Sequence, residues 1–230
     1  MDLIWNGSRE AFRLLIHLDS AVLDAAFRSL WISVFAVSVA TFIGVPLGIG
    51  LARVNFPCKR LLVVGCRSCM AFPTVFVGLV CFALFSRRGP LGPLELLYTP
   101  WVIVWGEFLL ALPMIVSITH GAIKSLDPRV SETAWTLGAN RFRRWGTYVS
   151  EARVGVVLAV LTAFSRCVTE LGIAMMVGGN IKDRTRTLAT ATALETGKGE
   201  FGRGMAMSLI LLTIAMGVTF FIVLLSREED

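Results

Sequence analysis

At 230 residues the chain is 55% hydrophobic and only 17% charged, with a mean hydropathy of +0.72. A soluble domain of this size cannot hide so much apolar surface, so its solvent is a membrane. The formal charge of +6, from 22 Lys and Arg against 16 Asp and Glu, suits an anionic cargo or lipid headgroups, with no nucleic-acid partner expected.

The pattern predicts an all-α, polytopic membrane helix bundle, a single domain over 1–230 with about five transmembrane helices. Residues 1–27 lack the basic start, compact apolar run and small-residue cleavage site of a signal peptide, and 1–29 reads as an amphipathic lead-in near the membrane surface. His17 within it is an interfacial polar residue. Apolar runs at 30–52, 61–85, 101–123, 154–179 and 205–225 each reach the roughly 20 residues a span needs, and no irregular backbone is required inside the lipid. Pro46 in span one, Pro73 in span two and Pro113 in span three each lack an N–H and are expected to bend their helices, making room for a pathway. Gly44 and Gly48, four apart, allow close helix approach.

Between spans three and four lies a soluble-looking pair of short helices, 127–148. Asp127 is a candidate N-cap with Pro128 as first helical residue, Val130, Ala134 and Leu137 share one face, and Gly138 offers a stop. Asn140 then caps a second helix that opens with Arg141, Arg143 and Arg144 beside Phe142 and Trp145. Positive charge at that end opposes the helix macrodipole, which an acidic partner or lipid headgroups would offset.

Span four carries Arg166 near the middle of a run about 39 Å long, where a bare charge is costly and must face protein or water. Glu170 follows one turn later, and Glu107 of span three is expected at similar depth. Arg166 either faces a passing dianion or is locked to Glu170 or Glu107 as a gate. The second reading is preferred, because carboxylates beside the route would repel an anion. Asn180, Thr185, Arg186 and Thr187 offer donors at the outer mouth, with a solvated turn and helix cap as the plainer alternative. Cys58, Cys66, Cys69, Cys81 and Cys167 read as small helix residues rather than a metal or disulfide set, and His120 has no ligand neighbours. Gly197-Lys198-Gly199 lacks the spacing of a phosphate-binding loop.

Glu132-x-Ala134-x-x-x-Gly138 resembles the first half of the cytoplasmic coupling motif of ABC importer permeases. Tyr148-Val149-Ser150-Glu151 stands where that family usually has Ile-x-Leu-Pro, and the Glu-Ala-Arg at 151–153 is similar to tungstate-type permeases. IGVPLGIGLA, FPTVFVGLV and RRGPLGPLELLYTP resemble the molybdate and tungstate branch. So, most closely, do the stretch from Ala163 through Arg166, Glu170 and Gly172 to Ile181, and Thr185-Arg186-Thr187-Leu188-Ala189-Thr190. Ser165, Cys167 and Lys182-Asp183 depart from the usual residues.

The resemblance implies the type I importer permease fold, with 127–148 as the segment that couples to a separate ABC ATPase through Glu132, Ala134, Leu137, Gly138 and Arg141. It further implies an ATPase dimer holding ATP and magnesium in trans, a periplasmic or lipid-anchored oxyanion-binding protein, and import of tungstate, with molybdate or sulfate as alternatives. A chain of five helices is too small to enclose a gated route, so a second copy is expected on a two-fold axis. The chain itself carries no catalytic residues or cofactor, and its expected place is a prokaryotic inner membrane. Lys and Arg divide eleven to ten between the two sides, with Arg166 within a span, so N-out, C-in orientation rests on the coupling segment. A passive anion channel and an intramembrane hydrolase are the competing functions. The hydrolase has only Glu107, Glu170, Ser165 and Cys167 to draw on.

Overall fold

The computed structural model describes residues 20–227 together with Trp5, Arg9 and Phe12, except for some side chains, including that of Arg141. Of the lead-in predicted for 1–29, the part over 1–19, His17 included, otherwise lies outside the described residues. Among those described, the chain forms nine α-helices and no strand. They are α1 (Ser20–Arg53), α2 (Lys59–Cys69), α3 (Thr74–Phe85), α4 (Pro100–Lys124), α5 (Pro128–Thr136), α6 (Arg141–Glu151), α7 (Arg153–Val168), α8 (Leu188–Gly197) and α9 (Phe201–Arg227).

α1 begins ten residues before the predicted span. Small and apolar residues at Val22, Ala25, Ala26, Ser29, Ile32, Ala36, Ala40, Gly44 and Gly48 form one unbroken buried stripe at helical spacing. Asp24 and Arg28 interrupt the apolar run in sequence. In the fold Asp24 is exposed, while Arg28 Nη1 donates to Arg186 O at 2.9 Å. Residues 20–29 are thus the first turns of the spanning helix rather than part of a separate lead-in. α1 packs most extensively on α4, and α7 joins them in the main core around Val45, Ile49, Ala111, Ile115, Phe164 and Val168. Pro46 and Pro113 sit inside continuous helices.

Two predicted spans are broken. α2 and α3 meet at 102°, because Pro73 has no N–H to donate and disfavours helical backbone at Phe72. The turn satisfies itself through Ala71 N–H to Ser68 O at 3.0 Å and Phe72 N–H to Cys69 O at 3.2 Å. At 1.5 Å per residue α3 is about 18 Å long, short of the roughly 30 Å hydrocarbon layer. The fourth span stops as an α-helix at Val168. After a break the chain forms a π-helical turn, Ala174–Gly178, and leaves through Gly179 and Asn180 with positive φ. The expectation of regular backbone throughout the lipid is therefore corrected to three long apolar helices, α1, α4 and α9, plus two bent pairs, α2 with α3 and α6 with α7. Irregular backbone at membrane depth is tolerated where protein covers it, and the π turn packs against α3 and α4.

α1 and α4 approach closely at Gly48, where a Cβ would lie 2.8 Å from Thr119 Cβ and 3.0 Å from Val116 O. Gly48→Val is expected to lower the melting temperature of the detergent-purified protein, at a cost of about 1–3 kcal/mol for overpacking. Gly50→Ala, at a helical position with open space, is expected to leave it unchanged. Equal melting temperatures for both variants would refute this account of the α1–α4 contact.

Candidate functional site

The segment between α4 and α7 is an elbow of two short, capped helices. Asp127 accepts from Arg129 N–H at 2.8 Å and Pro128 fills the first helical position, so α5 starts where the sequence predicts. It ends in a Schellman turn, Ala139 N–H to Ala134 O at 3.0 Å and Gly138 N–H to Trp135 O at 2.9 Å, with Gly138 at φ +72°. Asn140 caps α6 by accepting from Arg143 N–H at 2.9 Å. α6 runs to Glu151, past the predicted limit of 148, before a 77° bend into α7.

The proposed coupling residues separate. Glu132 and Gly138 are exposed, Arg141 opens α6, and Ala134 is buried within its own chain. Leu137 does not share the Val130–Ala134 face, because α5 ends at Thr136 and the turn swings it out. The apolar side chains that stand clear are Leu137 (81% exposed), Trp135 (71%) and Phe142 (84%). Trp135 and Phe142 went unremarked as contact residues in the sequence, although an aromatic beside a polar helix end was the available signal. Beside Leu137 lies a depression of about 430 Å³ lined also by Asp127, Val130, Ala134, Thr147 and Glu151.

The elbow is fastened to the bundle by one side chain from each of three elements. Tyr148 of α6 is buried in the main core, and its hydroxyl pairs with Ser131 Oγ of α5 at 2.8 Å. Arg53, in the last turn of α1, lays its guanidinium 4.6 Å from the Tyr148 ring centroid and donates from Nη2 to Ile123 O of α4 at 3.2 Å. A cation over an aromatic face contributes about 0.5–2 kcal/mol, and the donation occupies a carbonyl that the end of α4 leaves open. In the sequence, Arg53 counted only as a charge and Tyr148 only as a departure from a motif.

The second constellation lies at the break after α7. Arg166 Nη1 is 3.4 Å from Glu170 Oε2, the arginine side chain 45% exposed and the carboxylate 1%. Glu170 Oε1 accepts from Ile173 N–H at 3.1 Å, so one carboxylate both holds the cation and starts the next helical turn. Arg166 occupies the last turn of α7, where helix carbonyls favour a cation. It does not sit midway along an unbroken 39 Å helix as the sequence suggested. Glu107 of α4 is buried nearby, its Oε2 without a hydrogen-bond partner and the Ser33 hydroxyl beside it but out of bonding geometry. Cys167 Sγ donates to Glu107 O at 3.6 Å, and Ser165 Oγ lies 3.3 Å from Thr219 Oγ1 of α9. Of the departures from the resembled sequence, Ser165 and Cys167 thus form interhelical contacts.

The loop expected to offer anion donors uses them on itself. Thr185, fully buried, donates to Gly178 O at 2.6 Å and accepts from Ile181 N–H at 2.9 Å. Thr187 caps α8 in a reciprocal pair with Thr190. Arg186 Nε donates to Asn180 Oδ1 at 3.1 Å. Buried polar groups must find partners, and the loop's cations without a side-chain hydrogen bond or ion pair among the described residues are the exposed Lys182 and Arg184.

Residues 44–228 match the family described as the binding-protein-dependent transport system inner membrane component. The chain belongs to this permease family. Along 228 residues the permease is 35% identical to the tungstate uptake system permease protein of Peptoclostridium acidaminophilum, covering 99% of this chain and 100% of that one. It is 37% identical to the protein of the same description from Campylobacter jejuni, over 96% and 92%. The molybdenum transport system permease protein of Escherichia coli is 29% identical over 90% and 97%. Family membership and the apolar helices make the permease a multi-pass inner-membrane protein.

Glu170→Gln keeps an acceptor for Ile173 N–H, whereas Glu170→Leu removes both of the residue's bonds. In a background with the other four cysteines replaced, Cys167 is expected to stay shielded from N-ethylmaleimide in the first variant and to become reactive in the second. Equal labelling would show that Glu170 does not hold the break closed.

Proposed function

We propose that this chain is the membrane-spanning subunit of an ATP-driven tungstate importer, working as a pair around a two-fold axis with two copies of a separate ABC ATPase. Anion is delivered by a periplasmic or lipid-anchored oxyanion-binding protein. The elbow faces the cytoplasm, with the N-terminus outside and the C-terminus inside. The observation that carries the reading is the elbow itself. Its exposed Trp135, Leu137 and Phe142 form an apolar contact surface outside the bundle, while Tyr148 ties it to the ends of α1 and α4. ATP and magnesium are held by the partner, whose closure pushes the elbow and shifts the spans between two arrangements. Similarity over nearly the full chain to tungstate uptake permeases favours tungstate over molybdate.

Within this reading Arg166, Glu170 and Glu107 form a gate rather than a binding site, since the cation is already engaged by a buried carboxylate. Asn180, Thr185, Arg186 and Thr187 frame the outer loop and hold Lys182 and Arg184 where they raise the local anion concentration.

The test is uptake of tungstate into vesicles containing the permease and its ATPase. Uptake is expected to require ATP and the ATPase; flux through the permease alone would establish a passive channel instead. Gly138→Val places a β-branched side chain at φ +72°, at a cost of roughly 1–2 kcal/mol. It is expected to sharply reduce co-purification of the ATPase while the permease still inserts. Tyr148→Ala is expected to retain the ATPase yet hydrolyse ATP without uptake; normal uptake by that variant would remove Tyr148 from the coupling route.

A further inference from the structure

We infer that the junction of α2 with the end of α4 is a binding site for the headgroup of an acidic phospholipid. α2 has no buried residue and no acidic one, and carries Lys59, Arg60 and Arg67. At 3.6 residues per turn these three fall within about 100° of arc. On the other side Leu61 is 70% exposed and Leu62 is 51% exposed. Lys59 is half-buried with Val63 and Cys66 on the side packed against α4, while Arg60 and Arg67 are exposed beside it; on α4, His120 is buried with Nδ1 lacking a hydrogen-bond partner. The charges that act on His120 are those of Arg67, Lys124 and Lys59, all positive. Lys59 Nζ reaches only Ala52 O at 3.3 Å and Asn55 Oδ1 at 3.4 Å, and no ion pair among the described residues involves Lys59, Arg60, Arg67 or Lys124.

An anion complements like charges gathered on one side of a helix, and acyl chains complement the exposed leucines on the opposite side. A phospholipid supplies both, and a free oxyanion only the first. The 102° angle between α2 and α3 supports the same occupant. If α3 runs across the bilayer, α2 lies along its surface, at headgroup depth. The lipid would then pin α2 to α4 at the elbow end and steady the Met70–Pro73 turn. Beyond that turn α3 begins at Thr74, whose Oγ1 lies 2.9 Å from where a Cβ on Gly172 would be, with Glu170 Oε1 at 3.2 Å.

The experiment is native mass spectrometry of the full-length permease released from nanodiscs holding equal phosphatidylglycerol and phosphatidylcholine. The wild-type protein is expected to retain phosphatidylglycerol in about tenfold excess. Lys59→Gln/Arg67→Gln/Lys124→Gln is expected to abolish that preference, and Arg87→Gln/Arg88→Gln, an exposed basic pair in the loop between α3 and α4, to leave it intact. A triple variant that keeps the preference, or a control that loses it equally, overturns the assignment. The wild-type protein alone gives an independent answer should the triple variant fail to fold. Equal retention of the two lipids, or displacement of phosphatidylglycerol by millimolar inorganic phosphate, would show that no lipid site exists there.

Discussion

Arg53 is the residue on which the attachment of the elbow to the bundle depends. It closes the end of α1, donates to the end of α4 and covers the ring of Tyr148, so a single guanidinium joins two spanning helices to the elbow. No lysine would serve equally, because its compact ammonium cannot lie over the ring with one nitrogen-bearing arm and donate to Ile123 O with another, as the broad guanidinium does. The contact also explains why Tyr148 can be polar and buried together: its hydroxyl is taken by Ser131 and its ring by a cation. Without it the elbow would be attached to the bundle mainly through chain continuity and the apolar packing of Val130, Trp145 and Val149.

A second constraint governs the opposite part of the bundle. Backbone breaks inside a membrane are expensive unless each freed group is bonded, and the two found here are satisfied differently. The turn before α3 uses its own carbonyls, whereas the break after α7 recruits a side chain, Glu170, to accept from Ile173 N–H. That choice brings a charge into the interior and obliges Arg166 to follow. The Arg166–Glu170 pair is thus a consequence of breaking the helix. One removable proton acceptor supports both the backbone and the charge balance.

The parts of this architecture legible in the sequence are those written in local chemistry. Asp127-Pro128, Gly138 and Asn140 placed both elbow helices because caps act within a few residues, and the 30–52, 101–123 and 205–225 runs marked the three long apolar helices because burial in lipid is read from composition. The parts that stayed hidden depend on distant partners. Hydropathy over 61–85 and 154–179 is continuous, so it carried no sign that Pro73 and Glu170 would interrupt the helices. Thr185 and Thr187 look like free donors until the loop folds and closes them on Gly178 and Thr190. Arg28, read in sequence as the end of a surface segment, proved to bond a loop 158 residues away.

That last bond changes what α1 is. Near its N-terminal end Arg28 grips Arg186 O and Ser29 Oγ accepts from Leu188 N–H; at its other end Arg53 holds the elbow. Between Arg28 and Arg53 the helix rises about 38 Å as one continuous α-helix. A rod gripped at both extremities cannot shift at one without shifting at the other. The elbow and the loop before α8 are thus both fastened to one helix, a direct mechanical connection between two parts of the bundle.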